Sequence, residues 1–136
     1  MALRAIAGLT LEVRGVRAAF AERNRVPRDI LSLRQFRVDG GSQVAICGPS
    51  GSGKTTLLHL LSGIERPRRG VICWGDVEIT ALAAPVADHW RREKVGLVFQ
   101  QFHLFPGLSA LENVLLPLRF DHWSIDPAMR ARALKL

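Results

Sequence analysis

The run GPSGSGKTT, residues 48–56, has the residue types and the spacing of a loop that binds phosphate groups. The pattern G-x-x-x-x-G-K-[ST] is satisfied by Gly48, Gly53, Lys54 and Thr55. Glycine lacks a Cβ, so such a loop can turn its backbone N–H groups inward and form an anion site with the positive end of the next helix. Lys54 then reaches the β- and γ-phosphates, and the Thr55 hydroxyl is placed to ligate Mg²⁺. The run therefore predicts a nucleoside triphosphate site.

The segments on either side of this loop favour the same interpretation. Residues 43–47 predict a short buried strand that leads into the loop, and residues 55–62 predict a helix that leaves it. Gly63 suits the C-terminal cap of that helix. His59 lies among four leucines, so we expect a packed, hydrogen-bonded histidine rather than a metal ligand or a base.

The composition limits the function classes. A chain of 136 residues makes one domain at most, and 48% hydrophobic residues is normal for a globular protein. Nineteen Lys and Arg against twelve Asp and Glu give a net charge of +7, which favours anionic partners such as nucleotides and lipid headgroups. The basic residues are scattered and form no stripe interleaved with stacking aromatic residues, so we expect no nucleic-acid partner.

Neither a disulfide framework nor a membrane segment is predicted. Cys47 and Cys73 both lie in apolar, strand-like runs, so we expect two buried free thiols in a reducing compartment. Arg4 interrupts the one apolar run at the N-terminus, which argues against a signal peptide. The uncharged stretch 95–111 contains glutamine, histidine, glycine and proline and does not have the composition of a membrane span. We expect a soluble chain unless a membrane partner holds it.

Alternating patterns on both sides of the loop predict antiparallel β structure. Residues 9–17 and 29–38 alternate apolar and polar side chains, and a polar turn over residues 21–28 joins them. After the loop helix, residues 71–74 and 77–79 predict a hairpin around a turn of glycine and aspartate.

The second half predicts three helices and one strand. Residues 85–94 predict a short helix, and the continuous apolar run 95–99 predicts a strand buried on both faces. Ser109 and Glu112 form a capping box, so a helix is predicted from Ser109 to about residue 117. The pair Asp126-Pro127 supplies an N-cap and a first-turn proline for a last helix, which is predicted to run through residue 136.

Three features together resemble the N-terminal part of the ATP-binding cassette of ABC transporters. They are Phe20, the loop run 48–56 (Walker A in that family), and the run VGLVFQ at 95–100 with LFP at 104–106 and LENV at 111–114. The last set is similar to the family's Q-loop region, and the resemblance covers essentially all 136 residues. It implies an α/β fold, a P-loop NTPase fold of ABC-cassette type, truncated, with an antiparallel β region at the N-terminus. Residues 1–136 would form the N-terminal portion of one ATP-binding domain.

The resemblance implies ATP and Mg²⁺ as cofactors and gives roles to individual residues. The cofactor-binding residues would be Phe20, Gly48, Pro49, Ser50, Gly51, Ser52, Gly53, Lys54, Thr55 and Thr56. Phe20 would stack on the adenine ring without the hydroxyl of the tyrosine that is commoner in the family. The backbone N–H groups that would donate to phosphates belong to Gly51, Ser52, Gly53 and Thr56. Gln100 would approach Mg²⁺ and the attacking water, so Lys54 and Gln100 are the catalytic candidates, and Thr55 and Gln100 the metal ligands.

The resemblance also implies partners and a location. Transmembrane transporter subunits and a second ATP-binding cassette chain would assemble with this chain, which would be cytoplasmic and peripheral on the inner face of the membrane. Residues 101–105 would face the transmembrane partner. For Phe102 and Phe105, ordinary core packing explains the sequence equally well.

The chain departs from the family pattern after the Q-loop region. The family carries a signature loop LSGGQ, a strand-end aspartate (Walker B), a glutamate that polarises water and a switch histidine, and none of these motifs occurs in residues 1–136. Ser42 replaces a residue before the Walker A strand that is commonly acidic. Because later strands would lie between them, we do not expect the strands at 43–47 and 95–99 to pair directly.

Three functions fit these observations. The first is a binding module of a transporter ATPase that holds Mg·ATP but lacks the hydrolytic groups, as a fragment or with a second chain supplying the rest. The second is a self-sufficient P-loop kinase or GTPase, although the guanine-binding pattern N-K-x-D does not occur in the chain. The third is a non-catalytic interaction protein that inherited the fold. The Q-loop pattern favours the first, with ATP-driven transport by the complete assembly.

Overall fold

The computed structural model of the chain describes residues 2–4, 8–20, 28–101, 103–120 and 124–135. These residues form two compact units, Met1–Leu97 and Val98–Leu136. The elements of the first unit are β1 (Ala2–Arg4), β2 (Leu11–Phe20), β3 (Arg28–Val38), β4 (Gln43–Ala45), α1 (Lys54–Leu61), β5 (Arg69–Trp74), β6 (Val77–Glu78) and α2 (Ala84–Lys94). The elements of the second unit are α3 (Ala110–Arg119) and α4 (Pro127–Ala133).

An antiparallel sheet with the strand order β3-β2-β5-β6 is the frame of the first unit. The predicted pairing of the two alternating segments is confirmed by the β2–β3 ladder, and the predicted hairpin is confirmed by β5 and β6. β2 continues to Phe20, beyond its predicted end, because β3 pairs with it up to that residue. The predicted turn over residues 21–28 lies outside the described residues, apart from Arg28 at the start of β3.

The core of the first unit joins this sheet to α1 and α2. Its buried side chains are Leu11, Val13, Val16, Ala18, Val38, Leu60, Leu61, Ile72, Trp74, Ile79 and Trp90. The alternation of apolar residues along β2 places them on the face that the helices cover. The two helices predicted at 55–62 and 85–94 are confirmed as α1 and α2, and each begins one residue earlier than predicted.

β4 is shorter and more exposed than the sequence predicts. It ends at Ala45 and pairs antiparallel with β1, a strand that the sequence analysis did not predict. Gln43, Ala45 and Cys47 are exposed, so the predictions of a buried strand and a buried Cys47 thiol are wrong; Cys73 is half-buried. Among the described strands β1 is the sole partner of β4, and a strand with one neighbour lacks the flanking strands that bury the centre of a sheet.

The strand predicted at residues 95–99 is not formed. These residues are irregular, and Val98 is 76% exposed. An extended segment needs a neighbouring strand to satisfy its backbone hydrogen bonds, and none of the described strands pairs with it. Because no strand forms at residues 95–99, the expectation that such a strand would not pair directly with the one at 43–47 stays a prediction.

The second unit consists of α3 and α4, which pack against each other. The predicted capping box at the start of α3 is confirmed, because Glu112 N–H donates to Ser109 Oγ at 3.3 Å and Ser109 N–H donates to Glu112 Oε2 at 2.8 Å. α3 continues past Pro117 to Arg119. A proline near the helix end removes one N–H donor, and the turn that follows still closes.

α4 starts as predicted and ends earlier. Asp126 accepts a hydrogen bond from Ala128 N–H at 2.8 Å and caps the helix. The helix ends at Ala133 and does not run to residue 136. The helix has seven residues, and none of them is buried. Because most helices in proteins are stabilised by packing of an apolar face, this helix gains too little from packing to continue further. No helix in the described part of the chain combines the length and the apolar character needed to cross a lipid bilayer.

Hydrogen bonds at the α3 N-terminus favour the ionised form of Glu112. The Ser109 hydroxyl donates to Glu112 Oε2 at 2.7 Å, and the Ser109 N–H donates to the same oxygen. These two bonds, with weaker attraction from Arg119 and Arg130, lower the pKa of Glu112 below its ordinary value of 4.5. The folded state therefore gains stability from this carboxylate above pH 4.5, and loses it as the pH falls through the lowered pKa.

A close approach of two backbones fixes the register of β2 and β5. A Cβ added at Gly70, which has φ 98°, would lie 2.5 Å from the carbonyl carbon and oxygen of Gly15. The β2–β5 ladder is irregular between Arg14 and Arg17, at the point where Gly15 takes φ 61°. The absence of a side chain on Gly70 therefore allows the strands to meet at this irregularity.

Gly70→Ala is expected to destabilise the first unit more than Gly41→Ala. Both alanines would take a positive φ, but a Cβ at Gly41 has nothing within 4 Å. The left-handed conformation alone costs about 1–2 kcal/mol. The backbone overlap at Gly70 should add about 1–3 kcal/mol, as overpacking does in cores. Urea unfolding of the two variants measures the difference, and equal losses would show that the strands separate freely here.

Lowering the pH should weaken α3 through Glu112. Protection of the α3 amides from hydrogen exchange, corrected for intrinsic rates, should fall as the pH drops below 4.5. Glu112→Gln should remove most of this pH dependence because it leaves no carboxylate to protonate. Asp76→Asn, an exposed substitution in the β5–β6 turn, is the control and should leave the profile unchanged. A wild-type profile that is flat in this range would contradict the argument.

Candidate phosphate-binding site

The loop between β4 and α1 has a backbone shape that its glycines permit. Gly53 is the N-cap of α1 and adopts a left-handed conformation, with φ 85° and ψ 10°. A Cβ at Gly53 would lie 3.3 Å from Cγ2 of Ile30, and a Cβ at Gly48 would lie 2.9 Å from Oγ of Ser52. A side chain at Gly53 would therefore press against β3, and one at Gly48 would press against Ser52 across the loop.

The Lys54 ammonium lies across this loop. Its Nζ donates to the carbonyl oxygens of Gly48 at 2.8 Å and Pro49 at 2.7 Å, and Ser52 Oγ lies 3.4 Å away. An ammonium group has three donors, and these three acceptors account for them. The contacts fix a positive charge beside the backbone of the loop, where an anion that enters the loop would meet it.

The N-terminus of α1 has no side-chain cap, a feature that it shares with α2 and not with α3 or α4. No side chain caps α1, whereas Ser109 caps α3 and Asp126 caps α4. The first N–H groups of a helix have no acceptor within the helix, and the helix dipole places partial positive charge there. The first turn of α1 also contains no acidic residue. An anion would supply the missing acceptors, which is the chemistry of a phosphate site.

The remaining predicted loop residues are accessible to a ligand to different degrees. Exposed residues are Pro49, Ser50, Gly51, Ser52 and Thr55, while Thr56 is half-buried. The Ser52 N–H donates to the Pro49 carbonyl at 3.3 Å, a long bond that a better acceptor could replace. Thr56 lines a cavity of about 80 Å³ together with residues of β2 and β3, including Ala18 and Ile30. The loop therefore faces solvent on one side and the sheet on the other.

Contacts at the C-terminal end of α1 hold the helix in place. Trp74 Nε1 donates to the Leu61 carbonyl at 2.9 Å, and Arg91 donates to the Gly63 carbonyl at 2.8 Å. Gly63 has φ 71° and follows the helix as predicted. His59 Nδ1 lies 2.9 Å from Glu65 Oε1, which confirms the expectation of a hydrogen-bonded histidine.

Phe20 is the last residue of β2, and its Cα pairs with that of Arg28 on β3. Its side chain lies outside the described residues, so stacking on adenine stays a prediction. Ile30, two residues into β3 from Arg28, lies close to Gly53, because a Cβ added at Gly53 would be 3.3 Å from the Ile30 Cγ2. This end of the β2–β3 ribbon therefore lies beside the phosphate loop.

Gln100 belongs to the second unit, where it is exposed, and its approach to a metal stays a prediction. Phe105 is 56% exposed, so core packing is the wrong interpretation for that residue. Phe102 lies outside the described residues. Leu104 is exposed as well, so this segment presents an apolar surface.

The sequence did not predict the structural roles of two residues, Asn113 and Ile30, which lie in α3 and next to the phosphate loop. Asn113 organises the segment before α3, since its Oδ1 accepts from Phe105 N–H at 2.8 Å and its Nδ2 donates to the Leu108 carbonyl at 3.1 Å. The motif LENV contains this asparagine, and a polar residue in the first helical turn was the available signal. Ile30 contacts the loop through tertiary structure alone, for which the sequence holds no local signal.

Comparisons with known proteins agree with this geometry. A sequence profile of the family described as ABC transporter matches residues 31–136. An uncharacterized ABC transporter ATP-binding protein of Mycobacterium tuberculosis is 54% identical over 99 residues, which is 73% of this chain and 30% of that protein. The lipoprotein-releasing system ATP-binding protein LolD of Syntrophotalea carbinolica is 41% identical over 103 residues, which is 76% of this chain and 45% of LolD.

A solved structure has the same fold. The dimeric, post-hydrolysis state of the ATP-binding cassette MJ0796, bound to ADP and Pi, superposes with a TM-score of 0.69 at 30% sequence identity. The superposition covers 92% of this chain and 54% of that one, and the chain spans less than half the length of the curated relatives above. The likeness confirms the predicted α/β P-loop fold of ABC-cassette type. With the profile match over residues 31–136, it shows that the chain belongs to the ABC transporter family.

Proposed function

We propose that these 136 residues bind ATP together with Mg²⁺ and that, in a complete transporter, this binding drives transport. The observation that carries the proposal is the open N-terminus of α1 beside the Lys54 ammonium. Backbone N–H groups, a helix dipole and a fixed cation converge there, and together they favour a polyanion. The family relationship makes a nucleoside triphosphate the expected polyanion.

The donors of the loop fit the phosphates of ATP. Gly51, Ser52, Gly53 and Thr56 would offer backbone N–H groups, that of Ser52 in place of its bond to the Pro49 carbonyl, and Gly48, Pro49 and Ser50 would shape the loop around them. Lys54 would exchange part of its contacts to the loop for charge-assisted hydrogen bonds to the β- and γ-phosphates. Phe20 would support the adenine ring at the end of β2.

The loop also fits a magnesium ion that accompanies the nucleotide. Mg²⁺ prefers hard oxygen ligands and keeps several waters, so one protein hydroxyl and one amide oxygen are a sufficient protein contribution. Thr55 is exposed in the first turn of α1 and would provide the hydroxyl, and Gln100 would provide the amide oxygen. The bound metal would neutralise charge on the phosphate oxygens. Gln100 would also orient the attacking water.

Transmembrane subunits and a second cassette chain are the proposed partners. The relatives' names describe ATP-binding proteins of ABC transporters, and the MJ0796 cassette was solved as a dimer. The exposed apolar side chains of Leu104 and Phe105 follow Gln100 and suit a protein surface that needs covering. The proposed location is therefore the cytoplasmic, inner face of the membrane.

Lys54→Ala should weaken ATP binding by about 1.5–3 kcal/mol, the contribution of a charge-assisted contact. Isothermal calorimetry with ATP and Mg²⁺ measures the loss. Lys94→Ala on α2 removes the same charge from an exposed helix and should leave the affinity within a few tenths of a kcal/mol. AMP should bind more weakly than ATP because the loop would contact the β- and γ-phosphates, which AMP lacks. Equal ATP affinity for Lys54→Ala and the wild-type chain would refute the site.

In the same calorimetry, Thr55→Ala distinguishes the loss of a metal ligand from the loss of the loop's structure as the cause of weaker ATP binding. Lys54 braces the loop through two carbonyls, so its removal affects shape as well as charge. Thr55→Ala removes a single exposed hydroxyl. Its ATP affinity should fall in the presence of Mg²⁺ and should match the wild type when the metal is chelated. A loss of the same size in both conditions would argue against the metal role of Thr55.

Typical enzymes turn over at least roughly once per second. The 136 residues alone should hydrolyse ATP far more slowly than this. Phosphoryl transfer depends on a positioned water, a metal held on several sides and charge stabilisation around the γ-phosphate. These residues include no LSGGQ loop and no Walker B motif. Loss of one preorganised group costs roughly 10²–10³-fold in rate. Phosphate release by the purified chain, with Lys54→Ala as control, tests this; Lys54-dependent release near one per second would contradict it.

A further inference from the structure

The register of β2 and β5 places two arginines directly opposite each other. Arg17 on β2 pairs with Arg69 on β5, and the Arg68 N–H donates to the Arg17 carbonyl at 2.8 Å. The close approach of Gly15 and Gly70 holds the strands in this register. Like charges at facing positions of an antiparallel pair are destabilising. The arrangement therefore has an electrostatic cost that the backbone enforces.

The same side chains line a surface cavity. Its volume is about 340 Å³, and its lining residues are Arg17, Asp29, Arg68 and Arg69. Asp29 Oδ2 lies 3.8 Å from the Arg17 guanidinium, and both side chains are about half exposed, at 58% and 46%. Within the described part of the chain neither Arg68 nor Arg69 forms an ion pair. Among the described residues that line the cavity, three arginines thus accompany one carboxylate, so the lining carries a formal charge of +2.

A phosphate group supplies the chemistry that the cavity lacks. Guanidinium is planar and offers paired N–H donors that match phosphate oxygens. One carboxylate offsets one of the three charges, and a phosphate monoester, with about 1.5–2 negative charges at neutral pH, would offset the other two. The volume of the cavity is many times the roughly 30 Å³ that one water occupies in the liquid, so such a group fits with part of its hydration.

We propose that Arg17, Arg68 and Arg69 form a second anion site on the first unit, which shares no residue with the loop at 48–56 and takes a phosphate monoester or pyrophosphate group. The group could belong to a soluble phosphate compound or to a lipid headgroup. Both sources present the same oxygens to the three guanidinium groups, and separate measurements distinguish them.

Calorimetry with inorganic pyrophosphate tests the soluble source. The Lys54→Ala chain provides the background, because it removes the lysine of the loop. Pyrophosphate should bind this chain, and adding Arg17→Gln should weaken binding about tenfold or more, as the loss of a charge-assisted contact does. Arg34→Gln, which removes one arginine from the exposed positions of β3, is the matched control and should change the affinity less than about twofold.

Sedimentation with vesicles tests the lipid source. Vesicles that contain phosphatidic acid should retain the chain more than vesicles of phosphatidylcholine alone, and Arg17→Gln should lose this difference while Arg34→Gln keeps it. An effect of Arg17→Gln in either measurement supports the site and identifies the source.

The melting temperature provides a further test in chains that retain Lys54. In a buffer free of multivalent anions, Arg69→Gln should melt at a higher temperature than the wild type, because it removes the facing like charge. Pyrophosphate should raise the melting temperature of Arg34→Gln as much as that of the wild type, and should raise that of Arg69→Gln less. The proposal would be overturned if Arg17→Gln and Arg69→Gln responded as Arg34→Gln does in calorimetry, sedimentation and melting.

Discussion

The burial of the apolar face of α1 fixes where the phosphate loop lies. Leu58, Leu60 and Leu61 are each 1% exposed, and they pack at the end of the helix that is remote from the loop. Trp74 and Arg91 add hydrogen bonds at that same end. A helix is stiff, so anchoring its C-terminal half also sets the direction of its N-terminus. Residues that touch no ligand therefore aim the N–H groups and the dipole of α1 at the phosphate site.

Interactions that close within a few residues were predictable, and those that need a distant partner were not. The capping box of α3, the hairpin of β5 and β6 and the helix after the loop follow from local patterns. Residues 95–99 have the composition of a buried strand, yet no described strand pairs with them. A helix satisfies its own backbone, whereas a strand depends on neighbours that its own sequence does not specify.

In the candidate site, too, the features that depend on local sequence were predictable and those that depend on tertiary packing were not. The spacing of Gly48, Gly53 and Lys54 specifies the loop, because each residue acts through local backbone geometry or reach. The contact between Ile30 and the Gly53 position arises from sheet packing, and no pattern within either segment encodes it. The facing of Arg17 and Arg69 depends on the irregular register at Gly15, which alternation of side chains does not reveal.

Some arginines of the described chain lie beside carboxylates, and others do not. Arg37 lies 2.6 Å from a Glu12 oxygen and 3.1 Å from an Asp39 oxygen, and Arg91 lies 2.5 Å from an Asp88 oxygen. In these places the sequence sets opposite charges side by side. The first turn of α1 contains no acidic residue, and at the Arg17–Arg69 pair the carboxylate among the described residues is that of Asp29, 3.8 Å from Arg17. The register of β2 and β5 retains a repulsion between Arg17 and Arg69, and departures from local consistency of this kind are typical of functional positions.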